Sequence, residues 1–418
     1  MATLAEWLAR QESVHARSID LGLERVARVA GALELASPPY RVITVAGTNG
    51  KGSTVALIDA LLRASGARVG SFTSPHLVRY NERIRVDGEL ATDAELVSAF
   101  ERIEAARGAT TLTFFEYNTL AALTVFAARR IDIAVLEVGL GGRLDATNII
   151  DADVAVLCSV GFDHRDWLGD TLEEIGAEKA GIFRSHRPAV LGTAALPASV
   201  FAAIERLGAR AVIAGRDFTW ERTAAGWNYR GLRERWSGLP RPALAGDMQY
   251  ANAATALAAC ESLPMPSGLS GERIAHALRS VRLPGRFQIV PGPVEWILDV
   301  AHNEPAAALL AANLRAYPRQ GRALAVCGIL TDKDAPAIVG ALAQDIGTWI
   351  LCGLPGARGS SAQQLAARLG DLARGAHQVP DVVQGCELAR TLARAGDRVV
   401  VFGSFATVGP ALEWLGLV

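Results

Sequence analysis

The stretch RVITVAGTNGKGSTVALIDALL (residues 41–62) decides how this chain is interpreted. Residues 41–47 are mostly apolar and predict a buried strand, and residues 52–65 predict the helix that follows. A glycine-rich turn with one lysine separates them. A strand that leads through such a turn into a helix gathers backbone N–H groups and the helix N-terminus around one point, which attracts phosphate.

The turn departs from the usual phosphate-loop pattern G-x-x-x-x-G-K-[ST]. Counted back from Gly50 and Lys51, the first glycine of the pattern falls on Val45, and the position for Ser or Thr holds Gly52. The loop is therefore a damaged nucleotide loop, a chance cluster of turn residues, or a nucleotide loop of another kind. The complete strand–turn–helix context favours nucleotide binding, with the Lys51 charge directed to the phosphates.

The same alternation of strand and helix continues along the chain. Further buried strands are predicted at 67–72, 131–139, 152–161, 294–303, 322–330, 346–353 and 397–405, with helices at about 116–130, 247–262 and 271–281. Continuous apolar strands separated by helices predict parallel sheets covered on both faces. The alternating aromatic and polar residues of 216–236 predict a small antiparallel hairpin region.

We therefore predict an α/β protein with two doubly wound domains. The N-terminal domain (1–285) is expected to be a P-loop ATPase-like unit with a mainly parallel sheet. The C-terminal domain (286–418) is expected to be Rossmann-like. The boundary follows from the Pro and Gly residues that concentrate in 281–296.

Composition limits the class of protein. At about 150 residues per domain, 418 residues suit two or three domains. A net charge of -1 gives no bulk reason to expect nucleic acid or an anionic membrane as a partner. The five cysteines are scattered and form no C-x-x-C pair, a pattern typical of a reducing compartment. Without a signal-peptide pattern or a long apolar run, we expect a soluble cytoplasmic protein, acting as a monomer on small molecules.

Polar residues follow the predicted strands at the edges where ligands of α/β sheets gather. Glu137 ends an apolar strand and precedes glycines at 139, 141 and 142, so its carboxylate could hold Mg²⁺ close to phosphate. A strand-end Glu is more often a cap or a surface ion pair, but the preceding phosphate loop favours a ligand. Asp163 and His164 follow the next strand, although lone histidines are mostly structural.

Two further features have weaker signals. Lys179 is flanked by Ala and Gly in a helical stretch, and this pattern alone predicts a solvated helix face. In the second half, Asp299 and His302 follow a buried strand and precede a helix. Two sheet edges with polar residues predict a cleft with a nucleotide on one side and a substrate on the other.

The class of nucleotide chemistry can be narrowed by exclusion. A GTPase would need N-K-x-D after a strand, and the nearest string, TDKD (331–334), has the wrong order. Small-molecule kinases are usually shorter single domains, so a large second α/β domain favours a ligase. The residues alone predict a two-domain, ATP-dependent enzyme.

Six strings in this order resemble the folylpolyglutamate synthase/dihydrofolate synthase branch of the Mur ligase superfamily. They are GTNGKGST (47–54), SPHL (74–77), EVGLGGRLDATN (137–148), DHRDWLG (163–169), EKAGI (178–182) and LDVAHN (298–303). The resemblance implies that ATP phosphorylates a pterin-linked carboxylate and that the amine of L-glutamate attacks the acyl phosphate. It favours a bifunctional enzyme that converts dihydropteroate to dihydrofolate and extends reduced folates with further glutamates.

Three alternatives stay open. The first is an enzyme that only extends polyglutamate chains. The second is a peptidoglycan-type ligase with a UDP-sugar substrate, which usually needs a separate domain before the phosphate loop, whereas 44 residues precede Val45. The third is a nucleotide-dependent binding protein without ligase activity.

The resemblance also implies a set of nucleotide and metal residues. For ATP they are Asn49, Gly50, Lys51, Gly52, Ser53, Asn252, Arg286 and Asp299. One or two Mg²⁺ ions would be held by Ser74, Glu137, His164 and a carbamylated Lys179, so Ser74 takes over the metal role that Ser53 would have in a standard loop. The implied catalytic residues are Lys51, His164, Lys179, Asp299 and His302.

The resemblance places the pterin on three segments. They are Asp20, Leu21, Gly22 and Leu23; Thr113, Phe114, Phe115 and Glu116; and Leu144, Asp145 and Ala146. The aromatic rings of Phe114 and Phe115 suit a flat pterin or benzoyl ring, although core packing is an equally ordinary role for such a pair.

Overall fold

The structure, a computed structural model, describes residues 2–17, 19–263, 268–317 and 321–418. The chain forms two compact units. The first contains the chain up to His76 together with Tyr80–Ala243 and Met248–Val281, and the second contains Leu77–Arg79, Leu244–Asp247 and Arg282–Val418. The main change of unit therefore falls between Val281 and Arg282, whereas the sequence places the domain boundary after 285.

Eight strands of the first unit form one sheet. They are β1 Arg41–Ala46, β2 Val69–Phe72, β3 Ile84–Val86, β4 Glu89–Leu90, β5 Ile133–Glu137, β6 Val154–Leu157, β7 Pro188–Leu191 and β8 Arg210–Ile213. The order is β4-β3-β2-β5-β1-β6-β7-β8. The six strands β2, β5, β1, β6, β7 and β8 are parallel, and β3 and β4 extend the sheet beyond β2 as antiparallel strands. The mainly parallel sheet predicted from continuous apolar runs is confirmed.

Ten helices are found among the described residues of the first unit. They are α1 Leu4–Val14, α2 Glu24–Ala32, α3 Lys51–Ala64, α4 Asp93–Arg107, α5 Phe114–Arg129, α6 Arg165–Leu168, α7 Leu172–Ala180, α8 Ala198–Leu207, α9 Met248–Ser262 and α10 Gly271–Ser280. One core joins α1, α2, α4 and α5 to Phe72 and Leu136, and another joins α7 and α8 to Leu157 and Leu191.

A small antiparallel sheet interrupts the first unit where aromatic and polar residues alternate. Its strands are β9 Thr219–Thr223, β10 Gly226–Arg230 and β11 Arg235–Leu239, in the order β11-β10-β9. The inward-facing rings of Trp227 and Tyr229 are fully buried, which explains the alternation. The predicted hairpin region is confirmed and gains a third strand.

The second unit has a six-stranded sheet. Its strands are β12 Gln288–Val290, β13 Glu295–Asp299, β14 Ala323–Cys327, β15 Thr348–Cys352, β16 His377–Val379 and β17 Arg398–Phe402. The order is β12-β13-β17-β14-β15-β16, with β12 antiparallel and the others parallel. The helices are α11 Glu304–Ala316, α12 Ala335–Gly340, α13 Ala362–Leu369, α14 Val382–Leu392 and α15 Phe405–Trp414. Buried clusters line both sheet faces, as in the predicted doubly wound domain.

Several strands lie outside those predicted from the sequence. They are the edge strands β3, β4, β12 and β16 and the four-residue strands β7 and β8. Each is too short to give a periodic signal of its own. Searched for membrane spans, the described residues contain no helix with the length and apolar character to cross a bilayer.

Candidate active site

The phosphate loop has the geometry expected of a strand–turn–helix anion site. Gly50 takes the left-handed conformation, with φ 88°, and α3 begins at the next residue, Lys51. A Cβ atom at Gly50 would lie 3.1 Å from the side-chain oxygen of Asn252, so glycine is needed on both counts. The side chain of Asn252 on α9, predicted to bind ATP, therefore lies beside the phosphate loop. Gly52 and Ser53 form the first turn of α3.

The Lys51 ammonium folds back over its own loop. Its Nζ atom donates to the carbonyl oxygens of Gly47 at 2.9 Å and Thr48 at 3.3 Å. Phosphate oxygens are stronger acceptors for an ammonium group than neutral carbonyls are. The lysine is thus held beside the helix N-terminus, where a phosphate would bind.

The loop that follows β6 supports the phosphate loop, and sequence reasoning missed it. The Asn49 backbone N–H donates to Ser159 Oγ at 3.0 Å, and the same hydroxyl donates to the Asn49 carbonyl at 3.0 Å. Thr48 Oγ1 donates to the Gly161 carbonyl and accepts from the Gly161 N–H, both at 3.0 Å. The available signal was the run Ser159–Gly161, because it follows a strand that neighbours β1.

Ser74 and Glu137 meet at the carboxyl edge of the sheet. Because β2 pairs with β5, with Phe72 opposite Leu136, the residues after both strands emerge together. The Ser74 backbone N–H donates to Glu137 Oε2 at 3.0 Å. The Glu137 side chain is buried, with 4% of the residue exposed. The predicted pairing of these two residues at one edge agrees with this contact.

The donor set at this edge fits a hard divalent cation. Within the described ranges, no group of three or more His, Cys, Asp and Glu side chains converges to enclose a metal. A cation would therefore rely on the Glu137 carboxylate, the Ser74 hydroxyl, an imidazole and phosphate oxygens. Mg²⁺ is usually bound in this way, through one or two protein carboxylates with phosphate and water completing the shell.

His164 is held in an unusual backbone conformation. Its φ is 52°, uncommon for a residue other than glycine, and it immediately precedes α6. The neighbouring Asp163 carboxylate accepts from the His164 N–H at 2.9 Å and lies 3.8 Å from its Nε2. Such outliers often mark functional sites, so this conformation agrees with the role predicted for His164 as a metal ligand.

Lys179 is buried, and the solvated helix face suggested by its pattern is wrong. Only 5% of the residue is exposed, because α7 turns this side chain into the first unit. Burial first, and then the positive charge of Lys51, lower the pKa of the Lys179 ammonium to about 7, although the Asp163 and Asp145 carboxylates oppose the shift. The lysine thus lies within electrostatic range of the phosphate loop and of Asp163.

Asp145 orders the glycine-rich segment after β5. One carboxylate oxygen accepts from the N–H groups of Gly139 at 3.0 Å and Leu140 at 2.9 Å. The other accepts from the backbone N–H and hydroxyl of Thr147 at 3.0 and 2.7 Å. Burial raises the pKa of this carboxyl, and these hydrogen bonds oppose the rise. Leu144 and Ala146, the other predicted pterin residues of this segment, flank it.

The ring of Phe115, in a predicted pterin segment, lies against the glycine-rich segment that follows β5. A Cβ atom at Gly139 would lie 2.5 Å from the ring of Phe115, so only glycine lets the loop approach so closely. Phe115 also packs against Phe72, with ring centroids 5.8 Å apart, while Phe114 packs edge-on against Tyr80 at 6.2 Å. Both phenylalanines are half-buried and belong to the edge of the core.

Two of the predicted pterin segments are joined by an ion-pair network. Arg25 contacts the Asp20 carboxylate at 2.8 Å and the Glu116 carboxylate at 3.3 Å. Glu116 also closes a capping box with Thr113 at the start of α5. The network fixes the segment of Asp20, with the half-buried residues 21–23, against the first turn of α5.

The candidates in the second unit surround the end of β13. The Asp299 carboxylate accepts from the backbone N–H groups of Phe287 and Ala301, each at 2.8 Å. Burial raises its pKa, and the positive charge of Arg286 opposes the rise. The guanidinium of Arg286 lies 5.3 Å from the ring centre of Phe405, and the His302 ring lies 6.2 Å from the same ring. Arg286, Asp299 and His302 thus share one neighbourhood.

Two family models match separate parts of this chain. The Mur ligase middle domain matches residues 45–213, and the Mur ligase glutamate ligase domain matches residues 285–405. The chain is 44% identical over 412 residues to the dihydrofolate synthase/folylpolyglutamate synthase of Escherichia coli, covering 98% of this chain and 95% of the relative.

Solved structures agree in fold. E. coli FolC in complex with DHPP and ADP superposes with a TM-score of 0.94 at 43% identity, covering 99% of this chain and 98% of that one. A bifunctional folylpolyglutamate synthase/dihydrofolate synthase with Mn, AMPPNP and L-glutamate bound gives 0.92 at 43% identity, covering 100% and 99%. The chain therefore belongs to the dihydrofolate synthase/folylpolyglutamate synthase family of Mur ligases.

Proposed function

We propose that this protein is an ATP-dependent amide ligase. It adds L-glutamate to dihydropteroate, forming dihydrofolate, and to reduced folates, forming folylpolyglutamates. The observation that carries the proposal is the meeting of the phosphate loop, Asn252, the Ser74–Glu137 contact and buried Lys179 in one unit of a chain so similar to these ligases.

The chemistry requires an activated carboxyl group, because oxide is a very poor leaving group. A carboxylate oxygen of the acceptor attacks the γ-phosphorus of ATP, the bond to the bridging oxygen breaks, and ADP leaves. The glutamate amine then attacks the carbonyl carbon of the acyl phosphate, loses a proton, and expels inorganic phosphate. Positioning and electrostatic stabilisation supply most of the rate in such phosphoryl transfers.

For the first step we assign Asn49, Gly50, Lys51, Gly52 and Ser53 to the ATP phosphates. Lys51 would exchange its loop carbonyls for phosphate oxygens, which are the stronger partners. Ser74, Glu137 and His164 would hold Mg²⁺, which neutralises phosphate charge when bound. Asn252, Arg286 and Asp299 would contact the nucleotide, with His302 beside Asp299.

For the acceptor we assign the three predicted pterin segments. The ion pairs of Arg25 fix the first two segments, and Asp145 fixes the third through its four hydrogen bonds. Phe114 and Phe115 would offer ring surface to the pterin or benzoyl group. We further expect the enzyme to act as a monomer.

Lys179 is assigned the role of a carbamylated lysine. A buried ammonium group is costly, whereas the neutral amine can add CO₂ and release a proton to form an anionic carbamate, which a cation can use as an oxygen ligand. The adjacent positive charge of Lys51 favours an anion at this position over a second cation.

The test is an assay of purified protein with ATP, Mg²⁺, dihydropteroate and L-glutamate. The protein should release ADP and dihydrofolate in equal amounts. Lys179→Ala should lose turnover, and a small added carboxylate should restore part of it by standing in for the carbamate. A folded protein that binds ATP but forms no amide would be a binding protein, and the proposal would be wrong.

A further inference from the structure

Two hydroxyl groups tie the phosphate loop to the loop that follows β6. Ser159 Oγ accepts from the Asn49 backbone N–H and donates to the Asn49 carbonyl oxygen, each at 3.0 Å. Thr48 Oγ1 bridges the N–H and the carbonyl oxygen of Gly161 in the same way, also at 3.0 Å. The Thr48 backbone N–H donates in addition to the Ser159 carbonyl oxygen at 3.0 Å. Each hydroxyl thus fixes both backbone polar groups of one residue in the opposite loop.

The two loops are in direct contact along their backbones. Gly47 has a φ of 153°, a conformation that favours glycine. A Cβ atom at Gly47 would lie 3.0 Å from Cys158 Cβ and 3.2 Å from the Ser159 backbone nitrogen. The pairing of β1 with β6 also continues into the loops, since the Cys158 N–H donates to the Ala46 carbonyl oxygen at 2.9 Å. A shift of the loop after β6 would therefore disturb the phosphate loop.

The loop after β6 leads directly to a residue assigned to the metal. Asp163 and His164 follow Ser159 closely in the chain, and the Asp163 carboxylate accepts from the His164 N–H at 2.9 Å. The Asp163 carboxylate and the Lys51 ammonium both act electrostatically on the buried Lys179, so they lie near the same interior group. Ser159 thus stands between the loop assigned to the ATP phosphates and the segment assigned to the cation.

We propose that Ser159 is a positioning residue that couples the binding of ATP to the binding of its divalent cation. Its hydroxyl holds Asn49, assigned to the phosphates, in a fixed relation to the segment that carries His164, assigned to the cation. A cation bound to phosphate needs both loops in place at once, so a link that exists before binding lowers the entropic cost of assembling the site. The inference rests on the proposed function and adds to it a residue that acts through Asn49 and His164.

The experiment measures the affinity for AMPPNP by calorimetry, once with Mg²⁺ and once with EDTA in its place. The ratio of the two dissociation constants is the metal enhancement. Ser159→Ala should lower the metal enhancement roughly 10-fold, the scale expected for the loss of its hydrogen bonds to Asn49. The affinity in EDTA should change much less, because β1 and α3 still hold the phosphate loop. Ser159→Thr retains the hydroxyl and should keep most of the enhancement.

A double-mutant cycle with His164→Ala tests whether Ser159 acts through the metal residue. His164→Ala should itself lose metal enhancement, and adding Ser159→Ala to it should lower the enhancement little further. Ser65→Ala is the matched control, because Ser65 is a buried serine at the C-terminal end of α3 whose hydroxyl donates to the Leu62 carbonyl oxygen at 2.6 Å. This variant should keep the full enhancement. Thermal melting verifies that each variant is folded.

The inference is wrong if Ser159→Ala keeps the wild-type enhancement, if Ser65→Ala loses as much, or if the effects of Ser159→Ala and His164→Ala simply add. It is also wrong if Ser159→Ala weakens AMPPNP binding equally with and without Mg²⁺, because Ser159 would then only support the phosphate loop. A wild-type protein that shows the enhancement but forms no dihydrofolate from ATP, dihydropteroate and L-glutamate would instead refute the proposed ligase activity.

Discussion

Replacing Ser74 and Ser53 separately with alanine identifies which hydroxyl binds the metal. Ser74 stands at the sheet edge with its N–H on Glu137, whereas Ser53 is buried in the first turns of α3. We expect Ser74→Ala to lower Mg²⁺-dependent turnover roughly 10-fold or more, the scale of losses at metal sites. Ser53→Ala should have the smaller effect.

The measurement is kcat as a function of Mg²⁺ concentration for both serine variants. Ser74→Ala should need more Mg²⁺ to reach half of its maximal rate, and high Mg²⁺ should restore part of the loss. If Ser53→Ala showed the larger loss, the metal role would return to the standard position in the loop, and our assignment to Ser74 would be wrong.

The role of a residue could be predicted from the sequence only where its neighbours in the chain form a recognisable pattern. Gly50 and Lys51 were recognisable because strand, turn and helix are adjacent in the chain. The burial of Lys179 was not, since its neighbours on α7, Glu178 and Ala180, carry no signal of burial and the charged groups that act on it, Lys51, Asp145 and Asp163, lie far away in sequence. The pairing of Asn49 with Ser159 was missed for the same reason.

At the scale of elements, several helices begin with reciprocal capping boxes, and α4 gives a test with a pH dependence. At its N-terminus, Glu95 accepts from the Thr92 backbone N–H and from Arg129 Nε. The Arg129 hydrogen bond first, and then the Thr92 amide, lower the pKa of Glu95 to about 2 from its usual 4.5. The ionised carboxylate therefore stabilises the fold above pH 4.5, and this contribution disappears as the pH falls toward 2.

Glu95→Gln should lower the free energy of unfolding at pH 7 by roughly 0.5–1 kcal/mol, the scale of a partly exposed ion pair. The difference from wild type should shrink as the pH falls below 4.5. Urea unfolding at several pH values between 7 and 3 measures it. Glu101→Gln, an exposed position on the same helix, is the control and should leave stability almost unchanged. A constant difference across this range would contradict the assigned contribution.

The elements that could be predicted are those with a strong signal of their own. The buried strands β1, β5, β6, β13, β14, β15 and β17 are continuous apolar runs between helices, so their type followed from composition. The short strands β3 and β4 depend on pairing, β3 with β2 and β4 with β3, rather than on a signal of their own. The third strand of the small sheet, β11, likewise could not be predicted, because its local sequence does not show that it pairs with β10.

At the scale of the whole molecule, the strings that carry the family resemblance are divided between the two units. The phosphate loop, Ser74, Glu137 and Lys179 belong to the first unit, and LDVAHN belongs to the second. The first unit supplies the phosphate loop and the metal residues assigned to phosphoryl transfer, and the second supplies Arg286 and Asp299, which are assigned to the nucleotide. Both proposed reactions phosphorylate a carboxylate and then form an amide with glutamate, so one set of phosphate and metal residues should serve both.

Parallel reactions with dihydropteroate and with tetrahydrofolate therefore test whether one enzyme performs both syntheses. Mass spectrometry of the products should show dihydrofolate in the first and added glutamate residues in the second. Lys51→Met should abolish both products together, because each needs ATP phosphates held at the same loop. Glutamate addition to tetrahydrofolate alone would identify an enzyme that only extends chains. Survival of one product in Lys51→Met would show that the two reactions do not share the phosphate loop.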